Sequence, residues 1–318
     1  MASSPESLSP ASSLISYTHS EDEIVDVTVT GVEGDNSANI STSFYPGSHS
    51  LESDVILVSN DDVMFCVHTE TIANVDKNAF ASSMPPHMPF STGTARGAAI
   101  SVNEDSTTLS IILHAIYGTS SAHYSLGLEA LLKAVNHMPH HGIVPEKLIT
   151  PTSPLSQQLQ SVVPYYPIEI YTLAGHHKLE FLAQRASSHL LSFKMHTLTD
   201  GQAEKMGPSY LRRLFNLHLG RLASLKALLT EPPQRHPPSK HCTFHDQERL
   251  RRSWSLASAY LLWEARPDLP VGVIQTTLDS LIKVMWCEEC KTASKARVRD
   301  ATFRWASVKV GYFLFPSA

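Results

Sequence analysis

The sequence predicts an α+β fold, in which a small sheet capped by helices is followed by an all-α domain. Two short apolar runs, 55–58 and 63–67, flank a polar turn and indicate a β-hairpin. Later in the chain, apolar residues recur at helical spacing, and proline-rich breaks near 150–167 and 231–238 interrupt them. These observations place the sheet early in the chain and the helical domain after it.

Composition excludes several classes of protein. The chain has 318 residues, enough for two domains, and its net charge of −5 gives no general attraction to nucleic acid or acidic membranes. Four cysteines are too few for a disulfide scaffold. The first residues do not form a secretory signal, and the apolar stretch Leu256–Trp263 is too short to cross a bilayer. We therefore expect a cytosolic or nuclear protein with reduced thiols and no membrane partner.

Three segments are expected along the chain. Residues 1–50 are rich in serine, proline, glycine and acidic side chains, and they are predicted to be a disordered tail because they bury little apolar surface. Within this tail, Ile24–Thr30 could instead add an edge strand to the sheet. The sheet-containing domain is predicted over 51–141 and the helical domain over 142–318.

The predicted hairpin is the most informative feature of the sequence. Its strands are rich in β-branched and aromatic residues, and Ser59–Asp62 supplies the turn. Because both runs are apolar throughout rather than alternating, we expect both faces of the strands to be covered. His68 follows the second strand, where a helix is predicted to begin.

Further elements follow in a definite order. Ala98–Val102 reads as a third strand, and Asn103–Ser106 supplies oxygens and negative charge suited to a helix start. The next two helices each carry one apolar face: Leu109, Ile112, Leu113, Ile116 and Tyr117 on the first, and Leu128, Leu131, Leu132, Val135 and Met138 on the second.

This order resembles that of a BTB/POZ domain, in which an aspartate opens the hairpin and a Val-His pair closes it. The matching residues here are Asp54, Val67, His68 and Phe80. The chain is similar to BTB/POZ proteins of the fungal, basidiomycete-type family over about residues 51–141. One departure is that Asp62 stands where the family usually has a glycine.

The resemblance implies a non-catalytic module that binds itself as a homodimer or recruits a protein partner. A cullin-ubiquitin-ligase adaptor is an alternative, but the glutamate that often grips cullin has no counterpart between Glu70 and Glu104, where Met84–Phe90 lies instead. Asp54 and His68 are expected to be structural, as a surface or capping residue and a hydrogen-bonded histidine.

The second half is predicted to be helical. Helices are expected at 168–174 and 179–191, joined by a turn over 175–178, then after Pro208, and at 246–265, 270–285 and 287–309. His218 falls on the apolar face of the helix after Pro208 and is expected to be a hydrogen-bonded core residue.

Cysteine spacing gives the strongest chemical signal. Cys242 and His245 form one pair and Cys287 and Cys290 another, each with two intervening residues. This Cys₃His set suits tetrahedral zinc in a structural role. Ordinary reduced thiols are an equal alternative, and a redox dithiol is a weaker one.

Other chemistry is not indicated. His137, His140 and His141 lie near a helix end, where the helix dipole explains them, and His176 and His177 lie in a turn. The sequence contains no phosphate-binding loop, nucleophile elbow or dinucleotide fingerprint, so we do not expect an enzyme.

The last helix is basic. Its cations are Lys291, Lys295, Arg297, Arg299, Arg304 and Lys309. A transcriptional regulator that contacts DNA through this helix is an alternative function, but no aromatic residues for base stacking are interleaved on its basic face, so nucleic acid is not the expected partner.

Overall fold

The computed structural model describes residues 39–49, 52–76, 79–83, 98–124, 126–308 and 310–311. Its strands are β1 (Asn39–Ile40), β2 (Val55–Val58), β3 (Val63–Val67) and β4 (Ala98–Ser101). In the first half, the helices are α1 (Thr69–Val75), α2 (Ser106–Ile116), α3 (Leu128–His137), α4 (Pro145–Leu148), α5 (Pro154–Val162), α6 (Pro167–His176) and α7 (Glu180–Ser187). The C-terminal helices are α8 (Asp200–Thr230), α9 (Phe244–Trp263), α10 (Val271–Lys283) and α11 (Glu288–Ser307). The predicted mixture of a small sheet and many helices is confirmed.

The predicted hairpin forms the centre of the sheet. β2 and β3 pair antiparallel, with Val55 opposite Val67 and Leu57 opposite Phe65. β4 adds in parallel to β2, and the strand order is β1-β3-β2-β4. One face of β2 is buried, whereas Ile56 and Val58 are half-exposed, so the expectation of full cover on both faces is met only in part.

The hairpin turn explains how this chain does without the glycine. Asp62 adopts the left-handed conformation with a φ of 63°, which short polar side chains tolerate better than most. The neighbouring Asp61 accepts hydrogen bonds from the Ser106 backbone N–H (2.8 Å) and hydroxyl (2.6 Å). The turn is therefore fastened to the start of α2.

Part of the predicted tail belongs to the fold. Asn39 and Ile40 form β1, which pairs in parallel with β3, and Phe44 is buried in the core. The alternative edge strand Ile24–Thr30 lies outside the described residues.

Two hydrophobic cores lie along the chain. The first runs from Phe44 to Leu214 and includes the sheet, α2, α3 and the helices up to the early part of α8. The second runs from Leu225 to Trp305 and contains the C-terminal helices. The first core therefore continues well past residue 141, the predicted end of the sheet-containing domain, and α8 contributes to both cores.

α8 is longer than the sequence predicted. Thr199 and Gln202 form a capping box that starts the helix before the predicted beginning at Pro208. Gly207 breaks the helical conformation with a φ of 78°, so α8 is kinked and Pro208 opens its second part. His218 is buried and its Nε2 lies 2.9 Å from the Leu190 carbonyl oxygen, as expected of a core histidine.

α6 approaches this kink closely. Gly175, predicted to lie in a turn, is a buried residue of α6, and an added Cβ would lie 2.7 Å from the Met206 carbonyl oxygen. The missing side chain lets the two backbones meet.

Gly175→Ala is expected to lower the free energy of unfolding by about 1–3 kcal/mol, because a backbone must shift to admit the methyl group. Gly220→Ala is the matched control, since its Cβ meets nothing within 4 Å and alanine favours an exposed helix by up to about 1 kcal/mol. Denaturant unfolding measures both. Equal stabilisation by the two substitutions would contradict the close approach.

Candidate metal centre

The carboxyl end of α8 organises the C-terminal helices. A helix end leaves carbonyl groups without intrahelical partners. Here the Leu229 carbonyl accepts hydrogen bonds from Trp254 Nε1 (3.0 Å) and Ser258 Oγ (2.7 Å), both on α9. The Glu231 carbonyl accepts one from Arg297 Nε on α11 (2.9 Å). These bonds hold the end of α8, and the chain that follows it, against α9 and α11.

A group of four metal-ligand side chains lies at this meeting point. It consists of His236, Cys242, Cys287 and Cys290, whose ligand atoms all lie within 4.8 Å of one another. His236 comes from the proline-rich segment, Cys242 from the turn before α9, and the two other cysteines from the start of α11. The structure thus brings three of the four predicted ligands together.

The distances within this group suit tetrahedral coordination. Sulfurs bound to one zinc ion lie about 3.8 Å apart, and a sulfur and a nitrogen about 3.6 Å apart, given the usual bond lengths. The Sγ atoms of Cys242 and Cys290 are 3.7 Å apart. His236 Nε2 lies 3.2 Å from Cys290 Sγ and 3.4 Å from Cys287 Sγ. A disulfide would need sulfurs at about 2.05 Å.

His245 is not the histidine of this group. It is exposed in the first turn of α9, two residues after the capping residue Thr243. Its place is taken by His236, six residues before Cys242. A tight turn closed by two backbone hydrogen bonds between Ser239 and Cys242 folds the proline-rich segment back. In the sequence, this segment was recognised only as a helix break, so His236 was not among the predicted ligands.

The local electrostatics differ among the thiols. Burial raises the pKa of Cys242 and raises that of Cys290 to about 12. The backbone N–H of Cys290, at the amino end of α11, lowers the pKa of Cys287. A bound dication would favour all three thiolates, so metal binding would release protons and weaken as the pH falls.

His236 is held in the orientation that a metal ligand needs. Its Nδ1 lies 2.8 Å from the Pro237 carbonyl oxygen and 3.3 Å from Glu289 Oε2. A proton on Nδ1 leaves Nε2 to face the sulfurs, the arrangement that neighbouring carboxylates and carbonyls impose on ligating histidines by accepting a hydrogen bond from the other ring nitrogen.

The four residues on which the predicted resemblance rests make structural contacts. Asp54 Oδ1 accepts the Thr69 backbone N–H at 2.8 Å, at the start of α1. The Tyr117 hydroxyl lies 2.9 Å from the His68 backbone nitrogen and 2.8 Å from its Nδ1. Val67 pairs with Val55, and Phe80 is buried against the His141 ring. Together these residues join the hairpin to α1, α2 and the segment after α3.

Two other predicted features take definite positions. His177 Nε2 lies 3.0 Å from Asn136 Oδ1, which gives this turn histidine a structural partner. In the basic last helix, Arg297 is buried and bonded to α8 carbonyls, so it does not belong to a solvated cationic surface. The Met84–Phe90 segment and Lys309 lie outside the described residues.

Comparison with known proteins adds no family assignment: no family model, curated protein or solved structure matches this chain. Within the described ranges, no helix combines the length and apolar character that crossing a bilayer requires.

Substitution tests whether His236 or His245 is the histidine ligand. His236→Ala is expected to weaken metal binding at least tenfold, because it removes a direct ligand. Loss of a group that only hydrogen-bonds to a ligand already weakens metal binding by about tenfold or more. His245→Ala is expected to leave the metal content of the purified protein unchanged, because that side chain is exposed and outside the group. Mass spectrometry of bound metal measures both, and loss in His245→Ala alone would restore the original assignment.

Proposed function

We propose that His236, Cys242, Cys287 and Cys290 hold a structural zinc ion that closes the C-terminal helical unit. The supporting observation is that four ligand atoms from three separate segments lie within 4.8 Å of one another. Three thiolates and an imidazole form a donor set suited to zinc. Four protein ligands complete a tetrahedron and leave no position for a substrate, so this ion has a structural role.

A redox dithiol is the competing chemistry. Cys287 has a lowered pKa at a helix start and lies three residues before Cys290, as in disulfide oxidoreductases. A dithiol, however, uses two sulfurs and gives Cys242 and the oriented His236 ring no role. The four-ligand arrangement therefore favours zinc, and thiolate ligands suit the reducing cytosol or nucleus.

Removal of zinc is expected to destabilise the C-terminal helices. The second core is small, and structural zinc contributes directly to the folding free energy. A strong chelator should lower the Tm by at least about 5 °C, and added zinc should restore it. Magnesium is the matched control, because it prefers oxygen ligands and should not restore the Tm. An unchanged Tm after verified zinc removal would contradict a structural role.

At the level of the whole chain, the proposed function is non-catalytic protein binding. The resemblance to BTB/POZ domains implies this role, and the two predicted strands that carry the resemblance pair antiparallel. In the described structure, Asp54 and His68 serve as hydrogen-bonding groups between elements, consistent with a scaffold.

The surface of α9 favours self-association. Leu256, Tyr260 and Trp263 are 73%, 60% and 88% exposed and follow one another at helical spacing, so they form a single apolar stripe. Two copies of α9 packed antiparallel about the midpoint between Leu256 and Tyr260 would place Leu256 against the second Tyr260. The same arrangement sets Arg252 opposite the second Glu264. The stripe is therefore complementary to itself in both apolar contact and charge.

Trp263→Asp is expected to raise the dissociation constant of a homodimer at least tenfold, because buried tryptophans often dominate interfaces. Sedimentation velocity across a concentration series measures this. Phe303→Asp is the control, since Phe303 is similarly exposed (72%) but lies on α11. A purely monomeric wild-type protein, or equal weakening by both substitutions, would contradict self-association through α9.

A further inference from the structure

Glu104 is a buried carboxylate between β4 and α2. The residue is 5% exposed, and burying a carboxylate is costly unless opposite charge or strong hydrogen bonds surround it. The nearby Lys133 pairs with Asp105 instead. Among the described residues, the ion-pair partners of Glu104 are two histidines, His137 and His141.

Two histidines converge on this carboxylate from one direction. His137 ends α3, and His140 lies three residues later in the 3₁₀ turn Met138–His141, so both rings lie on the same side of the chain. The ring centroids are 5.1 Å apart. One nitrogen of each histidine and one oxygen of Glu104 lie within 4.8 Å of one another.

We infer that Glu104, His137 and His140 form a second metal site for a borderline divalent ion such as zinc. Two imidazoles and a carboxylate suit zinc and its neighbours in the first transition series, whereas magnesium and calcium prefer oxygen ligands alone. His137 Nδ1 lies 2.9 Å from each Glu104 oxygen, within about half an ångström of the roughly 3.4 Å that separates a nitrogen and an oxygen bound to one tetrahedral zinc ion.

His141 supports the carboxylate from the other side. Its Nε2 lies 3.2 Å from Glu104 Oε1, while its ring stacks on Phe80. A hydrogen bond from an outer residue to a ligating carboxylate is the usual means of fixing that ligand.

This second site differs from the cysteine site in accessibility. Three protein ligands leave at least one position on the ion for water or another small ligand. His140 is exposed and His137 half-exposed, so the ion would be reached from solvent. The site joins the connection between β4 and α2 to the end of α3.

Calorimetric titration of zinc-saturated, dialysed full-length protein with further Zn²⁺ tests this inference. The wild type is expected to show a binding component that weakens at least tenfold in His140→Ala. His140 is exposed, so the substitution should leave the fold intact, which circular dichroism checks. His176→Ala is the matched control, because it also removes an exposed histidine beside another histidine at a helix end.

The experiment distinguishes a failure of the proposed Glu104 site from a failure of the proposed cysteine site. A component that is lost in His140→Ala but kept in His176→Ala and in His236→Ala belongs to the Glu104 site. If the component is unchanged in His140→Ala, or if wild-type protein with its cysteine site loaded takes up no further zinc, the second site is overturned. Loss in His236→Ala alone would leave the cysteine site as the zinc site.

Discussion

Three cysteine sulfurs and one histidine nitrogen meet where the proline-rich segment, α9 and α11 come together. Neutral thiols and an imidazole at these distances stabilise one another only weakly, whereas a shared zinc ion would bind each of them strongly as a ligand. The arrangement of the C-terminal helices depends on this meeting point. It lies beside the carboxyl end of α8, which α9 and α11 cap through Trp254, Ser258 and Arg297.

The first core is held by a different set of constraints. The hairpin is fastened at its turn by Asp61 to α2 and at its open end by Asp54 to α1. Tyr117 then connects α2 to His68. These polar contacts fix the sheet against the helices whose apolar faces cover it. The result is a rigid base, to which α8 joins the C-terminal helices and their exposed α9 stripe.

The sequence was sufficient for features that depend on local chemistry. The paired apolar runs predicted the hairpin. The spacing of apolar residues predicted the bounds of α9, α10 and α11 to within a few residues, but not the start of α8. α8 begins before Pro208 because the Thr199–Gln202 capping box starts the helix there, and the predicted start did not take this box into account. Gly175 was predicted to lie in a turn between two helices, but it belongs to α6, where its missing side chain allows the close approach of Met206.

Features that depend on distant contacts could not be predicted in the same way. The two-residue spacing identified Cys242, Cys287 and Cys290, but the same rule selected His245, although the turn at Ser239 brings His236 to the sulfurs. Glu104 lies 33 residues before His137, and no sequence spacing links them. The packing of α2 against α3 places that carboxylate beside the histidines.

The composition of the metal site at the start of α11 decides whether zinc joins the C-terminal helices. X-ray absorption at the zinc edge of the purified full-length protein measures it directly, because sulfur and nitrogen ligands differ in bond length. Three sulfur ligands at about 2.3 Å and one nitrogen at about 2.0–2.1 Å are expected for tightly bound zinc. Absence of tightly bound zinc, or a zinc shell of nitrogen and oxygen ligands without sulfur, would contradict the proposed Cys₃His site.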